Sequence, residues 1–304
     1  MIGTDRSVPP AVRAHWRLGD STLLAAQDVT TWRVVRGGHP FVLKHFGAAA
    51  LPGWQYQLRV AAALRRAGWP APEVADEPLS RPEGAWVLLH WLPGEPSDTT
   101  DRRTEELARG RLLARFHETA GTLGIDDQRT GFTAPYAVVD DPELEHWLRI
   151  HEAAVPSEGA ILRRYRAAAA ERLAGHHPPQ ARASVIHGDF TSWNLLFEDG
   201  RLSGLLDLEI THRSLQVADF ALSWRGNHDD VIRGYDEVRP LSPAEWQLIL
   251  PVFWSWLFLG VKDLLAGHYD AGRPARLDLT WHTTHLLRES ELMRDKLGDD
   301  CHPQ

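Results

Sequence analysis

Cysteine and lysine are scarce in this chain of 304 residues. Its one cysteine, Cys301, excludes an intrachain disulfide and a zinc site built on cysteines. No run of lysine and arginine is present, and the formal net charge is -8, which argues against a nucleic-acid partner. Lysine occurs only at Lys44, Lys262 and Lys296, so a lysine within an apolar strand stands out.

Long apolar segments are missing as well. The longest, residues 249–261, contains Pro251, Ser255 and Gly260, and it is shorter than the about 20 apolar residues that cross a bilayer. The first residues lack the apolar core of a signal peptide. We therefore expect residues 249–261 to form a buried helix, and the protein to be cytoplasmic with no membrane partner.

The predicted elements change in kind along the chain, which at this length has room for two lobes. Strands are expected at residues 30–35 and 41–46, joined by a Gly-Gly turn, and Leu-Pro-Gly at residues 92–94 breaks a later strand. The other predicted elements are a helix at 54–67, a strand at 85–91, helices at 104–119, 144–155 and 161–174, and helices after Asp219. The predicted fold class is α+β, with a small β-rich lobe at residues 1–92 and a larger helical lobe at residues 93–304.

A short β segment interrupts the helices and carries the chemistry. A strand at residues 184–186 is followed by His-Gly-Asp-Phe-Thr-Ser-Trp-Asn at residues 187–194, and then by a hairpin with an Asp-Gly turn. Its strands are expected at residues 195–197 and 202–206, which brings Asp207 back beside Asn194 and Asp189. Phosphoryl transfer needs a carboxylate to orient the attacking hydroxyl and oxygen ligands for Mg²⁺, and these three residues supply that set.

These motifs resemble the aminoglycoside phosphotransferase and choline kinase branch of the protein-kinase-like fold. The resemblance spans roughly residues 30–225 and includes the lysine strand, the loop His-Gly-Asp-x-x-x-x-Asn and the metal aspartate in Leu-Asp-Leu-Glu. It implies a bilobal kinase-like protein that uses Mg²⁺ and ATP or GTP to phosphorylate the hydroxyl group of a small molecule.

The resemblance implies a role for each matching residue. Asp189 would be the catalytic base, Asn194 and Asp207 would hold Mg²⁺, and Lys44 would contact the α- and β-phosphates. The remaining implied roles are backbone contacts to the nucleotide base at His90, Trp91 and Leu92, bracing of the catalytic loop by Asp219, and packing within that loop by His187.

The chain departs from the family pattern in three places. Gln57 stands where a kinase helix carries the glutamate that pairs with the strand lysine. No glycine-rich loop precedes Lys44, and residues 26–31 are expected to substitute for it. Ser-Leu-Gln at residues 214–216 replaces the usual Gly-Asp-Pro. Two interpretations of Glu209 remain open: it would either be a ligand of a second metal ion or form a local salt bridge.

Acidic residues beyond the metal loop are candidates for binding the acceptor, because each ammonium of a polycationic antibiotic must be paired when it leaves water. The alternative for each is a solvated helix face. These residues are Asp229, Asp230, Asp236, Glu237 and Asp263. The histidines at 176–177, 282 and 285 and Glu289 match no zinc motif and are expected to be surface or capping residues.

The predicted function is that of a magnesium-dependent small-molecule kinase. Its acceptor would be an aminoglycoside or another antibiotic, giving resistance or self-protection, or alternatively a small amine or amino acid of the choline or homoserine type. A nucleotide-binding pseudoenzyme is a third hypothesis, motivated by Gln57 and the missing glycine-rich loop. A protein kinase is disfavoured because Asp-Phe-Gly and Ala-Pro-Glu are absent. The sequence indicates no oligomeric state.

Overall fold

The structure, a computed structural model, describes residues 7–26, 29–48, 53–97, 99–174, 181–272 and 280–303. The strands are β1 (Ser21–Ala26), β2 (Val29–Arg36), β3 (His39–Gly47), β4 (Leu79–Arg81), β5 (Gly84–His90), β6 (Glu95–Pro96), β7 (Ala183–Ile186), β8 (Leu195–Glu198), β9 (Arg201–Leu205) and β10 (His212–Leu215). The α-helices are α1 (Pro10–Trp16), α2 (Trp54–Arg66), α3 (Arg102–Ala120), α4 (Pro135–Val139), α5 (Pro142–Ala154), α6 (Pro156–Ala174), α7 (Phe220–Trp224), α8 (Asp229–Val238), α9 (Pro243–Tyr269), α10 (Thr280–Leu286) and α11 (Glu291–Leu297).

Every strand and helix that the sequence predicts is present, with ends shifted by up to five residues. The sequence analysis did not predict α1, β1 or β10, nor the short elements β4, β6 and α4. Part of the segment expected to replace the glycine-rich loop, Gln27 and Asp28, lies outside the described residues, as do His176 and His177.

Contacts between Cα atoms divide the chain into two compact units. The first comprises residues 1–98, 129–131 and 193–211, and the second comprises residues 99–128, 132–192 and 212–304. The first unit includes the hairpin β8–β9 because β8 pairs with β6 and because Leu205 N–H donates to the Pro70 carbonyl at 2.8 Å. The two lobes that the sequence predicts follow the order of the chain, and their boundary at residue 92 stays a prediction.

The main sheet of the first unit has five antiparallel strands in the order β1-β2-β3-β5-β4. Its two faces have separate apolar cores, as the alternation of side chains along a strand requires. On one face Trp16 of α1 packs with Leu43 and Trp86, and on the other Phe46 and Val87 pack with Leu58 of α2. Side chains alternate between the two faces along β3, and Lys44 lies on the same face as Phe46. The Lys44 side chain is therefore directed toward α2.

Close packing of α3 on α8 organises the second unit, and it depends on two glycines. A Cβ atom at Gly110 would lie 2.0 Å from the carbonyl oxygen of Val231, and one at Gly234 would lie 2.2 Å from that of Leu107. No real side chain tolerates such distances, so the two helices approach until backbone meets backbone. This packing positions Tyr235 of α8 beneath the catalytic loop.

Helix α9 forms the apolar centre of the second unit. It contains the expected buried segment 249–261, and Trp254, Leu257 and Phe258 are at most 1% exposed. Among the described residues, α9 is the one helix long and apolar enough to cross a membrane, and 67% of its most apolar window is buried inside the structure. Core helices of soluble proteins pass the same test of length and composition.

The α3–α8 contact makes a testable prediction. Gly110→Ala is expected to lower the free energy of unfolding by about 1–3 kcal/mol, because the added methyl group forces the two helices apart. The matched control is Gly267→Ala in α9, where a Cβ atom would meet nothing within 4 Å. There the better helix former is expected to raise the free energy of unfolding by up to about 1 kcal/mol. Urea denaturation measures both, and equal effects of the two substitutions would contradict the packing argument.

Candidate functional site

Lys44 forms two ion pairs within the first unit. Its Nζ atom donates a hydrogen bond to Glu209 Oε1 and lies 3.5 Å from Asp207 Oδ1, and its side chain is 15% exposed. Burial acts to lower the pKa of Lys44, but the negative charges of Glu209 and Asp207 outweigh it and hold that pKa above its ordinary value. Burial raises the pKa of Glu209, as does Asp207, against the opposing charge of Lys44. Glu209 thus forms a salt bridge with Lys44, and its alternative role as a second metal ligand stays a prediction.

The hairpin β8–β9 places Asn194 and Asp207 side by side. Leu195 pairs with Leu205, and the N–H of Leu206 donates to the Asn194 carbonyl at 2.8 Å. Asp207 follows directly in a left-handed conformation, with φ 59°, which aspartate tolerates better than most residues. This turn out of the strand carries the chain into the 3₁₀ turn Leu208–Ile210 and so brings Glu209 to Lys44.

Gln57 of α2 does not supply a counter-ion for Lys44. It is 5% exposed, and its Nε2 donor has no hydrogen-bond partner within the described structure. It lines a small cavity of the first unit together with Lys44 and Asp207, and the apolar side chains of Phe46 and Leu58 complete much of the wall. The carboxylate that pairs with Lys44 therefore comes from Glu209, two residues after Asp207, and not from α2.

Arg129 is a residue of this site that the sequence analysis missed. It is 2% exposed and its Nη1 atom donates to the carbonyl oxygens of Glu209, at 2.5 Å, and Thr211, at 3.0 Å. Burial lowers the pKa of Arg129 to about 10, against the charges of Tyr56 and Glu209. Arg129 fixes the backbone that presents Glu209. No local signal separates it from the many other arginines of the chain, because its partners lie 80 and 82 residues away.

Asp219 braces the catalytic loop within the second unit. The fully buried carboxylate accepts hydrogen bonds from the N–H groups of His187, at 2.9 Å, and Gly188, at 2.5 Å, and from His117 Nε2 at 2.8 Å. Burial acts to raise the pKa of Asp219, but the hydrogen bond and charge of His117 lead the contributions that hold it below the ordinary value. Tyr235 continues the network through a 2.9 Å contact with His117 Nδ1. The predicted bracing role of Asp219 agrees with this geometry.

His187 packs inside the loop and orients the backbone of Asp189. The Asp189 N–H donates to His187 Nδ1 at 3.2 Å, so this nitrogen acts as an acceptor. The His187 ring is fully buried, with the rings of Phe116 and Phe190 near it at centroid distances of 6.1 and 5.5 Å. Asp189 precedes Asn194 by five residues, and the chain passes from the second unit to the first between Ser192 and Trp193.

The residues expected to meet the nucleotide base lie at the end of β5. The N–H of His90 donates to the Glu73 carbonyl at 2.8 Å, so that donor is already used. Trp91 is 40% exposed, and the Arg33 guanidinium lies 5.7 Å from its ring centroid. Base contacts by His90, Trp91 and Leu92 stay predictions.

Four of the five acidic residues expected to bind the acceptor contact other groups of the protein. Asp229 accepts from Trp224 Nε1, Ser290 Oγ and Leu292 N, and Asp236 accepts from Leu241 N. The two surface ion pairs are Asp230 with Arg103 and Arg233, and Glu237 with Arg111. Asp263 is exposed and no partner is described for it.

The side chains present fit a magnesium ion that keeps water and phosphate ligands. Asn194 and Asp207 offer hard oxygen atoms from adjacent ends of one hairpin, and Mg²⁺ in nucleotide sites needs one or two such protein ligands. In the described part of the chain, no group of three or more histidine, cysteine, aspartate or glutamate side chains could hold a metal ion alone.

Known proteins resemble the chain in sequence over part of its length. Homoserine kinase of Agrobacterium fabrum (strain C58 / ATCC 33970) is 28% identical over 152 residues, which cover 46% of this chain and 45% of that protein. Acyl-CoA dehydrogenase family member 10 of Mus musculus is 28% identical over 181 residues, which cover 55% of this chain and 16% of that protein. The chain thus spans less than half the length of either relative.

Solved structures match over most of the chain. A thermostable mutant of aminoglycoside phosphotransferase APH(4)-Ia, in a ternary complex with ADP and hygromycin B, aligns with a TM-score of 0.64 at 17% identity, covering 90% of this chain and 95% of that one. The microcompartment-associated aminopropanol kinase gives 0.64 at 18% identity, with 90% and 91% covered. Spectinomycin phosphotransferase APH(9)-Ia, with ADP and spectinomycin, gives 0.65 at 10% identity, with 92% and 93% covered. The predicted α+β, protein-kinase-like fold is confirmed.

Family membership follows from the sequence comparison. The family described as "APH: Phosphotransferase enzyme family" matches residues 21–239, a span that holds Lys44, the catalytic loop and Asp207. Because this match covers well over half of the chain, the protein belongs to the phosphotransferase enzyme family.

Proposed function

We propose that the protein transfers the γ-phosphoryl group of ATP, or of GTP, to a hydroxyl group of a small molecule with the help of Mg²⁺. The observation that carries the proposal is the convergence of Lys44, Asp207 and Glu209, beside Asn194, at the open end of one hairpin. One cation and several hard oxygen atoms are what a metal-bound polyphosphate needs. The ADP in the related APH(4)-Ia and APH(9)-Ia structures supports ATP as the phosphoryl donor.

Each of these residues has a distinct task in the proposed reaction. Asn194 and Asp207 would hold Mg²⁺, which supplies charge neutralisation on the transferred phosphoryl group when bound. Lys44 would exchange one of its carboxylate partners for phosphate oxygens. Asp189 would accept the proton of the attacking hydroxyl, with its backbone fixed by His187 and by the Asp219 network. Catalysis of this kind rests on positioning and electrostatics.

Of the two acceptor classes, we favour a small metabolic acceptor over a polycationic antibiotic. A polycation needs several carboxylates, but Asp229, Asp236 and Glu237 already accept hydrogen bonds from other groups of the protein, and Asp230 forms ion pairs with two arginines. A homoserine kinase among the relatives and an aminopropanol kinase among the structural neighbours support the same choice. A role in antibiotic resistance would need an acceptor site other than these carboxylates.

The first test is nucleotide turnover with Mg²⁺ against aminoglycosides, spectinomycin, choline, aminopropanol and homoserine. We expect ADP release that depends on the acceptor, and a loss of at least about 100-fold in kcat in Asp189→Ala, since a general base contributes that much or more. Nucleotide affinity should not change in this variant. Asp295→Ala, which removes an exposed carboxylate of α11, is the matched control. Nucleotide binding without turnover on any acceptor would favour the pseudoenzyme.

The second test transfers the carboxylate partner of Lys44 from residue 209 to residue 57. Glu209→Gln is expected to raise KM for ATP at least about tenfold, because Lys44 then draws Asp207 away from the metal, and tenfold corresponds to about 1.4 kcal/mol. Adding Gln57→Glu should restore part of the activity, because residue 57 lines the same cavity and returns a carboxylate to Lys44.

Magnesium titration of these variants separates a counter-ion from a metal ligand. If Glu209 acts through Lys44, the half-saturating Mg²⁺ concentration changes little and the double variant recovers. A strongly raised Mg²⁺ requirement, with no recovery in the double variant, would make Glu209 a metal ligand instead.

A further inference from the structure

Side chains on the α2 side of the main sheet form rows across the strands, and neighbouring rows differ in exposure. Residues that pair in the antiparallel register lie on the same face, so the pairing fixes which side chains share a row. The row of Lys44 includes Thr31 of β2 and Val87 of β5. Successive rows on one face are about 7 Å apart, since a strand rises about 3.4 Å per residue.

The row on one side of Lys44 is closed. It comprises Val29, Phe46 and Ala85, each at most 4% exposed. The ring of Trp54, at the start of α2, stacks on Phe46 with 5.9 Å between the ring centroids. A ligand bound at Lys44 therefore has no room to extend over this end of the sheet.

The row on the other side of Lys44 is open. Val42 is half-buried there, and its partner in β2, Arg33, is exposed. Trp91 follows directly after β5 and is 40% exposed. The Cζ atom of Arg33 lies over the Trp91 ring, 5.7 Å from its centroid. Among the described residues, no carboxylate forms an ion pair with Arg33.

These exposures indicate where a nucleotide whose phosphates contact Lys44 places its base. One ribose separates the α-phosphate from the base, so the base lies about one row, or about 7 Å, away from Lys44. Because the row of Phe46 is closed, the base lies over the row of Arg33, next to Trp91. The N–H of His90 already donates to the Glu73 carbonyl, so recognition of the base needs other donors.

The guanidinium of Arg33 distinguishes the two purines. It donates two parallel hydrogen bonds, and guanine presents two acceptors, O6 and N7, on one edge. Adenine presents N7 beside an amino group that is itself a donor, so only one of the two hydrogen bonds forms. The ring of Trp91 stacks with either base, because every base has a flat π-face.

We propose that Arg33 makes guanine the preferred base of this site, so that GTP is a better phosphoryl donor than ATP. ATP binds the same surface through Trp91 with lower affinity. A bidentate pair with a base edge changes affinity by at least about fivefold. The inference rests on the proposed phosphotransferase function and specifies its donor nucleotide.

The experiment measures the binding of GDP, ADP, IDP and 7-deaza-GDP by isothermal titration calorimetry with Mg²⁺, and needs no acceptor. We expect GDP to bind at least about fivefold more tightly than ADP. IDP keeps O6 and N7 and lacks only the amino group of guanine, so it should bind as GDP does. 7-deaza-GDP lacks the N7 acceptor and should bind at least about threefold more weakly than GDP. In turnover, kcat/KM should favour GTP over ATP in the same way.

Two substitutions assign the preference and the stacking. Arg33→Gln replaces two donors by one donor and one acceptor, a pair that matches N7 and the amino group of adenine. It should weaken GDP binding at least about fivefold and leave ADP binding equal or stronger. Trp91→Ala should weaken both nucleotides by similar factors and keep the preference, because stacking does not distinguish the bases. Both side chains are exposed, and thermal unfolding checks that each variant folds.

Arg36→Gln is the matched control. Arg36 lies on the same strand as Arg33 but on the opposite face, where its guanidinium lies 4.6 Å from the Phe41 ring centroid and pairs with Asp76. The substitution removes the same charge from the same strand and should change the affinity for neither nucleotide.

The outcomes separate the base preference from the phosphotransferase function. Equal affinities for GDP and ADP, IDP binding as weak as that of ADP, or a guanine preference that survives Arg33→Gln overturns the assignment. An equal loss in Arg36→Gln also overturns it, because the effect would then be one of net charge. Phosphoryl transfer from ATP and GTP with equal kcat/KM leaves the kinase function standing and rejects the guanine preference. Guanine-selective binding that depends on Arg33, without transfer to any acceptor, supports the role of Arg33 and rejects the proposed function.

Discussion

A buried lysine on the inner face of a sheet needs a negative partner, and this need shapes the candidate site. Lys44 is 15% exposed, and an unpaired ammonium at such a position costs several kcal/mol. Helix α2, which packs on the same face, presents Gln57 in place of a carboxylate. The compensating charge therefore comes from the segment after β9, where Asp207 and Glu209 both lie within ion-pair distance. Ion pairs thus connect Lys44 of β3 directly to the segment that carries Asp207 and Glu209.

The position of the carboxylate that pairs with Lys44 differs from that in kinases with a helix glutamate. In a kinase with a helix glutamate, movement of the helix makes or breaks the lysine pair. Here the partner of Lys44 is Glu209 on a 3₁₀ turn, and the buried Arg129 donates to the carbonyls of Glu209 and Thr211. The same turn carries the metal aspartate. The carboxylate partner of Lys44 and the proposed metal ligand Asp207 thus lie in one short segment of the chain.

Sequence reasoning predicted the elements and motifs whose signals are local. The strands around Gly37 and the hairpin closed by Asp199 and Gly200 are set by turn residues and alternation, which short-range physics determines. Strand β1 was missed because Leu23 and Leu24 are exposed at the sheet edge, so no alternation of polar and apolar residues marks it. Contacts between residues far apart in the chain could not be predicted from local signals, and Lys44 and Glu209 are separated by 165 residues. Only folding brings such pairs together.

The acidic residues of the second unit show how residue type alone misleads about ligands. Read as a set, they suggest a surface for cations, but an aspartate that accepts three hydrogen bonds from its own chain has little left to offer a ligand. What a protein presents to solvent is the charge that remains after internal pairing. The net charge of a chain and the charge of its binding surface are therefore separate quantities, and the second follows only from the pattern of internal contacts.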